Sequence, residues 1–256
     1  MSKLVGIVGY GHVGGIMHKL FPNAEIYDEP LQIGERININ ECDYVFICVP
    51  TPQNEDGSCN TSIVDDVLSW LCPKKCIIIR STVPVGYTRK WVNEGKHIIF
   101  QPEYYGETKK HMFEDPNNRD WITLGGLSYL TEQVAQLYET VFTSKLRINQ
   151  IPSDEAEFAK YMENSFFSTK VIFCNQFYDL AKAMGVNYVQ AREAWLMDPR
   201  IDDSHTQVYP FNQGYGGKCL PKDTAAIIYQ GDKVGVNMSL LKAVEEANAR
   251  YHEMEV

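Results

Sequence analysis

The stretch Lys3-Leu-Val-Gly-Ile-Val-Gly-Tyr-Gly-His-Val-Gly14 limits the possible folds of this chain more than any other. A short apolar run passes directly into G-x-G-x-x-G, with Gly9, Gly11 and Gly14 in the three glycine places. The pattern predicts a buried strand over residues 4–8, a tight turn, and a helix over 13–20. A second strand over 24–27 ends in Asp28, roughly twenty residues beyond the first glycine.

Strand, glycine turn, helix and acid together are what a dinucleotide requires. The glycines let a pyrophosphate approach the backbone and rest on a helix N-terminus, and the acid grips a ribose hydroxyl pair. A carboxylate at Asp28 repels a 2′-phosphate, so NAD is expected rather than NADP. A plain strand-turn-helix with a surface aspartate is the other reading.

The alternation then continues. Apolar strands are expected over 43–49, 76–80, 97–100, 121–124 and 145–148, and helices over 62–71, with Ser62 as N-cap, and over 128–141. Such alternation implies an α/β fold of Rossmann type, a doubly wound and mostly parallel sheet. Chemistry in such sheets gathers at the carboxyl ends of strands, and Thr51, Ser81, Thr82 and Glu103 stand at those ends.

Near residue 150 the pattern becomes helical. Helices are expected over 153–184, 188–196 and 239–253, the last amphipathic through Leu240, Leu241, Val244, Ala247, Asn248 and Tyr251. The expected division is an NAD-binding domain over 1–150 and a smaller all-helical domain over 151–256.

Bulk numbers exclude several classes. The 256 residues are 44% hydrophobic and 22% charged, ordinary for a globular chain, with net charge −9. Basic residues cluster only in pairs such as Lys74-Lys75, so no nucleic-acid groove is expected. No apolar stretch approaches the roughly 18 residues that cross a bilayer, and the N-terminus enters a strand without a signal peptide. Seven scattered cysteines suit a reducing cytoplasm better than a disulfide framework. Cys72 and Cys76 lack a second pair or histidine cluster to complete a metal site, so no metal is expected.

Chemistry concentrates in Gly214-Tyr-Gly-Gly-Lys-Cys-Leu-Pro-Lys-Asp-Thr224. Cys219 follows a glycine run and precedes Lys222 and Asp223, in a loop entering a helix with Pro221 in its first turn. A thiol acts as a nucleophile once it is a thiolate, which nearby cations and helix N-termini favour. A buried cysteine beside a glycine turn is the alternative. On the long helix, Lys160 and Asn164 are four apart and so share a face. Lys160 there is either a proton-transfer or oxyanion group or a snorkelling surface lysine. Glu103 and Glu107 are also four apart, after a strand end.

Together Gly9-x-Gly11-x-x-Gly14, Cys48-Val-Pro-Thr-Pro52, Ser81-Thr-Val-Pro-Val-Gly86, Gln101-Pro-Glu103, Glu157-x-x-Lys160-x-x-x-Asn164 and the Cys219 loop resemble the UDP-glucose/GDP-mannose 6-dehydrogenase family, in order and over essentially the whole chain. The resemblance implies oxidation of the C6 hydroxyl of a nucleotide sugar to a carboxylate, with two NAD⁺ and no metal. It implies Cys219 as nucleophile, passing through a thiohemiacetal and a thioester that water cleaves. It implies Lys160 and Asn164 at the developing oxyanion, and Asp223 and Thr82 in ordering water and assisting proton transfer. Glu103 and Glu107 match an acidic pair, the latter the general base for hydrolysis. Gly9, Gly11, His12, Val13, Gly14, Asp28, Thr51, Ser81 and Thr82 match the cofactor site. Glu103, Tyr104, Lys160, Asn164, Arg200, Tyr215 and Gly216 match the substrate site, Arg200 reaching it from a neighbouring subunit. The helix at 239–253 resembles the family's dimer-forming helix, so a homodimer is implied.

The chain also departs from the family pattern. N-P-E-F-L-R-E becomes Gln101-Pro-Glu-Tyr-Tyr-Gly-Glu107, losing an arginine at Gly106, and residues 201–213 are longer than usual. The family continues into a second nucleotide-binding domain, whereas this chain stops at Val256, so a short form is expected. Two other readings stay open: a single-step hydroxyacid dehydrogenase that does not use the thiol, and a module that binds NAD or a nucleotide sugar without turnover.

Overall fold

The computed structural model describes residues 4–105, 115–142 and 146–253. They divide into two compact units. One holds residues 1–52 and 59–160, the other residues 53–58 and 161–256. The sheet of the first unit ends with its seventh strand at Ile151, and the division falls later, between Lys160 and Tyr161.

In the first unit the sheet contains β1 (Val5–Val8), β2 (Glu25–Tyr27), β3 (Tyr44–Ile47), β4 (Cys76–Ile79), β5 (Ile98–Phe100), β6 (Trp121–Gly125) and β7 (Arg147–Ile151). Their order is β2-β1-β3-β4-β5-β6-β7, parallel throughout except for the antiparallel pair β5–β6. The order reverses between β1 and β3, the place where an open α/β sheet offers a crevice to ligands.

The pleat sends alternate side chains to opposite faces. Ile7, Phe46, Ile78 and Ile99 enter one apolar core with Met17 and Leu20 of helix α1 (His12–Leu20). Val45, Ile47, Ile77, Ile79 and Phe100 enter the other, with Val64 and Leu68 of α3 (Ser62–Trp70). Two covered faces explain why these strands read as continuous apolar runs.

Three elements differ from the sequence expectation. Helices α2 (Arg36–Asn40) and α4 (Tyr87–Asn93) were not expected. The first spans five residues, too few for a period to show. The second has Gly86 at its N-cap and no capping side chain of its own. Its cap comes from Glu157, which accepts the Gly86 and Thr88 N–H groups at 2.6 and 2.9 Å. Strand β7 runs over Arg147–Ile151 rather than 145–148, because it is an edge strand with no fully buried residue to set the period. The N-cap of α3 is Thr61 rather than Ser62, and Asn60 Oδ1 accepts the Ser62 N–H at 2.9 Å.

A long helix, α6 (Ser153–Met184), follows helix α5 (Ser128–Glu139) and β7 and passes from the first unit into the second. The second unit adds α7 (Tyr188–Trp195), α8 (Leu220–Lys233) and α9 (Ser239–Glu253). It is helical apart from its loops, so the fold is a doubly wound, mostly parallel α/β sheet with a smaller helical unit. Ile172 of α6, Tyr215, and Val244, Ala247 and Tyr251 of α9 form its buried centre. Among the described residues no helix is long and apolar enough to cross a membrane.

Candidate active site

The glycine loop leaves β1 at the reversal of strand order. Gly9 has φ +91°, and a Cβ there would lie 2.7 Å from the Cys48 carbonyl oxygen. A Cβ on Gly14 would lie 1.9 Å from the Gly9 carbonyl oxygen. Both positions are therefore glycine for reasons internal to the protein. Gly11 differs: a Cβ there would meet nothing within 4 Å. Gly11 is also the N-cap of α1, which no side chain caps, so the first-turn N–H groups from His12 and Val13 onward face an open approach. An open glycine before an uncapped helix start fits a pyrophosphate.

Asp28 is drawn to the same loop. Its Oδ2 accepts the Tyr10 N–H at 2.7 Å and its Oδ1 accepts the Leu31 N–H at 2.9 Å. The two amides fix the carboxylate beside the glycines, and each oxygen keeps acceptor capacity for a ribose hydroxyl. These residues fit NAD. When bound, it supplies a hydride acceptor.

At the other strand ends the hydroxyls hold the backbone. Thr51 Oγ1 donates to the Thr82 carbonyl at 2.8 Å, and Ser81 Oγ donates to the Val49 carbonyl at 2.6 Å. Both side chains are buried, whereas Thr82 is half-buried. They clasp the ends of β3 and β4 at the sheet's carboxyl edge.

Sequence reasoning did not single out Arg80, at the end of β4. Its guanidinium is fully buried, pairs with the Glu103 carboxylate and lies 5.6 Å from the Tyr105 ring centre. Burial alone would lower its pKa, but the Glu103 charge together with Tyr138, Tyr105 and Cys48 outweighs that, and the net direction is upward. Glu103 also accepts the Tyr105 N–H. Its carboxylate is thus committed to an ion pair and a backbone turn.

Buried Arg119 lies 4.4 Å over the Tyr104 ring and 4.0 Å over the Trp121 ring. Burial lowers its pKa. Lys160, 8% exposed, has its Nζ 4.9 Å over the Tyr104 ring. Tyr104 is thus a platform for two cations, and Lys160 is packed rather than snorkelling. An arginine just past one apolar strand (Arg80, after β4) and one just before another (Arg119, before β6) were the available sequence signals. Glu107 lies outside the described residues.

The second unit holds the thiol. Cys219 is exposed at the N-cap of α8, with Pro221 in the first turn. The Asp223 N–H donates to the Cys219 carbonyl at 3.0 Å, so the two residues are one turn apart. Asp223 is 1% exposed, and its Oδ2 accepts from Asn164 Nδ2 at 2.5 Å. Its Oδ1 accepts from Lys222 Nζ. Two donors hold this buried carboxylate in one orientation. Ser168 Oγ donates to the Asn164 carbonyl at 3.0 Å and meets Thr224 Oγ1 at 2.9 Å. Asn164 is therefore fixed from both ends. Burial pushes the thiols of Cys76 and Cys174 up, away from the reactive form.

Gly216 is exposed with open space at its Cβ position, whereas the Tyr215 side chain is buried among Ile172, Val244 and Tyr251. Burial pushes the Tyr215 hydroxyl up to about 12. Arg200 is exposed and grips Asp198 of its own loop, Nε to Oδ1 at 2.9 Å and Nη2 to Oδ2 at 2.5 Å. Among the described residues no three His, Cys, Asp or Glu side chains gather as a metal site would require.

The chain is similar to known proteins. The model of the UDP-glucose/GDP-mannose dehydrogenase family's NAD binding domain matches residues 28–144, and that of its central domain matches residues 154–250. The glycine loop lies ahead of the first matched span. A UDP-glucose 6-dehydrogenase of Pseudomonas aeruginosa is 32% identical over 232 residues, covering 84% of this chain and 50% of that protein. One of Haloferax volcanii is 29% identical over 235 residues, covering 82% of this chain and 53% of that protein. The structure of a UDP-glucose dehydrogenase from the archaeon Pyrobaculum islandicum superposes with a TM-score of 0.84 at 25% identity, over 98% of this chain and 68% of that one. The chain spans about half the length of the curated relatives it matches. It belongs to the UDP-glucose/GDP-mannose dehydrogenase family, with NAD as cofactor.

Proposed function

We propose that the chain carries out NAD-dependent oxidation of the C6 hydroxyl of a nucleotide sugar, UDP-glucose or a close analogue, to the uronic acid, with Cys219 as a covalent nucleophile. One observation carries this reading. An exposed cysteine starts α8, one turn before a buried aspartate held by Asn164 and Lys222. A structural cysteine needs no such neighbour. The relatives named UDP-glucose 6-dehydrogenase support the substrate class.

In the proposed sequence the alcohol first loses a hydride from C6 and a proton from its oxygen. The Cys219 sulfur then bonds to the aldehyde carbon and the thiol proton passes to the carbonyl oxygen, giving a thiohemiacetal. Loss of a second hydride and the hydroxyl proton gives a thioester. Water adds, the C–S bond breaks, and acid and thiol leave. A helix N-terminus favours the negative sulfur. The Asn164 amide donates to Asp223. The amide and the Lys160 ammonium stabilise the oxyanion, each donor contributing about 3 kcal/mol. Asp223 and Thr82 order the water, and Glu107 is the base for hydrolysis. Glu103 holds Arg80 and shapes the turn that carries Tyr104. Arg200 reaches the substrate of a partner subunit once it leaves Asp198.

A homodimer forms, in this proposal, through the second unit. Most apolar residues of α9 are spent inside that unit, since Leu241, Val244, Ala247 and Tyr251 are buried, while Leu240 is exposed. A larger exposed apolar face lies on α6 and α7. Phe173, Phe177, Leu180, Met184, Val186 and Trp195 line an open cavity of ≈ 500 Å³ there. Contiguous apolar surface of this kind suits an interface.

The test is to mix the chain with NAD⁺ and UDP-glucose, UDP-N-acetylmannosamine or GDP-mannose, following NADH and acid. About two NADH per acid, lost in Cys219→Ser, is the expected result. One NADH per product, unchanged in that variant, would establish the single-step chemistry. Silence across the panel with NAD bound would leave a binding module.

A further inference from the structure

Tyr215 stands four residues before Cys219, and one side chain grips its peptide at both polar atoms. Asn248 Oδ1 accepts the Tyr215 N–H at 2.7 Å, and Asn248 Nδ2 donates to the Tyr215 carbonyl at 3.0 Å. One turn further along α9, His252 Nε2 lies 3.0 Å from the same carbonyl. A carbonyl only accepts, so the imidazole donates there. Asn248 is 8% exposed. It also presses on Gly214, where φ is +82° and a Cβ would lie 2.6 Å from Asn248 Oδ1. Asn175 of α6 adds a third hold, accepting the Gly214 N–H at 3.3 Å.

Beyond the clamp the chain is exposed. Residues 216–219 are exposed, and at Gly216 and Gly217 a Cβ would meet nothing within 4 Å. The loop is held at its two ends, by the grip on Tyr215 and by the first turn of α8.

We propose that Asn248, assisted by His252, is a positioning residue for the Cys219 thiol, and that α9 serves as the splint of the nucleophile loop. The proposal deepens the reading above and rests on Cys219 as nucleophile. Asn248 touches neither substrate nor cofactor in this scheme. It acts through the Tyr215 peptide, which an asparagine side chain pairs as a neighbouring strand would.

The test uses the full chain with Asn248→Ala, Asn248→Asp and His252→Gln. The readouts are the alkylation rate of Cys219 by peptide mass spectrometry, kcat and KM with NAD⁺ and UDP-glucose, NAD⁺ affinity and melting temperature. A glutamine at 252 still donates to the carbonyl and stays near wild type. Asn248→Ala lowers kcat about 10- to 100-fold, the usual penalty for about 1 Å of misplacement. KM and NAD⁺ affinity move less than about threefold. Alkylation of Cys219 changes along with kcat.

Asn248→Asp provides the discriminating readout. A protonated carboxyl repeats the amide pattern, accepting from the N–H and donating to the carbonyl, while the carboxylate opposes the carbonyl. Activity and alkylation, each as a ratio to wild type, therefore rise as pH falls from about 8 to about 5. The same series in the His252→Gln background removes the imidazole from the comparison. The other acids nearby are Asp179 on α6, which accepts from Tyr251 and Gln213, and Glu245 on α9, whose charge is felt at Tyr215. They are common to all variants.

Folded variants with kcat and alkylation within about twofold of wild type would overturn the proposal, as would a flat pH ratio for Asn248→Asp. If wild type makes no acid, the catalytic reading fails by itself. The alkylation series still decides whether Asn248 places the thiol.

Discussion

Gly11 and Gly14 are three residues apart in one motif, and the structure assigns them separate duties. At Gly14 a methyl would lie 1.9 Å from the Gly9 carbonyl oxygen and 3.0 Å from its carbon. Gly9 cannot retreat, because it is held at φ +91° against the Cys48 carbonyl, and β3 continues the β1 pairing through the Cys48 N–H to Val8 at 2.7 Å. Overpacking costs about 1–3 kcal/mol, and a backbone-on-backbone approach belongs at the upper end. For a chain of this size about 3 kcal/mol corresponds to a melting temperature lower by roughly 6–12 °C. Gly11→Ala meets nothing within 4 Å, and its φ of −78° and ψ of −153° suit alanine. Losing glycine at an N-cap costs a few tenths to about 1 kcal/mol, and the stiffer unfolded chain returns about 0.4–1. Net stability should change by less than about 0.5 kcal/mol. The methyl does, however, enter the open approach to the helix start, and NAD⁺ affinity should fall about 10- to 100-fold, about 1.4–3 kcal/mol. Thermal melts by circular dichroism and NAD⁺ titration calorimetry on the two variants separate the effects. If Gly11→Ala melts as low as Gly14→Ala, or binds NAD⁺ as wild type does, the division of duties is wrong.

Other outcomes follow from the same geometry. Burial pushes the Glu157 carboxyl up to about 7 against the pull of its bonds to Thr88 and Gly86. The folded chain then holds the proton more tightly than the unfolded one. This contribution to stability is full below about pH 4.5 and is lost as pH rises through about 7, with a ceiling near 3 kcal/mol. Urea midpoints at pH 5 and 8 should differ more in wild type than in Glu157→Gln, and equal slopes would refute the assignment. Phe177→Glu, on the exposed face of α6, should halve the mass seen by light scattering while shifting stability by less than about 0.5 kcal/mol. A wild type already monomeric at micromolar concentration would exclude that interface. Asp28→Ala should weaken NAD⁺ about tenfold and narrow the preference over NADP⁺, and an unchanged ratio in calorimetry would remove Asp28 from the ribose site.

The elements that were legible in the sequence carry their signal locally. Strands β1, β3, β4 and β5 are buried on both faces, so each is an unbroken apolar run. The glycine loop was legible because three backbone demands fall within six residues. Strand β7 exposes most of its side chains and was misplaced accordingly. Helix α4 escaped notice because its cap lies on Glu157, far away in sequence.

The same division runs through the candidate site. Cys219 and Asp223 stand one turn apart, and a motif records both. What orients them comes from elsewhere: Asn164 from α6 holds Asp223, and Asn248 and His252 from α9 hold Tyr215. Amphipathic spacing showed that α9 has an apolar face but not which surface receives it. The structure turns that face inward, toward Ile172 and Tyr215, and so places Asn248 against the loop's backbone. An asparagine amid apolar positions of a helix marks a polar group that must be satisfied internally, because an unpaired buried amide costs about 1–3 kcal/mol. Its partner had to be a donor–acceptor pair as rigid as itself. The Tyr215 N–H and carbonyl, ahead of the exposed run to Cys219, are such a pair, and therefore α9 holds the loop that carries Cys219 within its own unit.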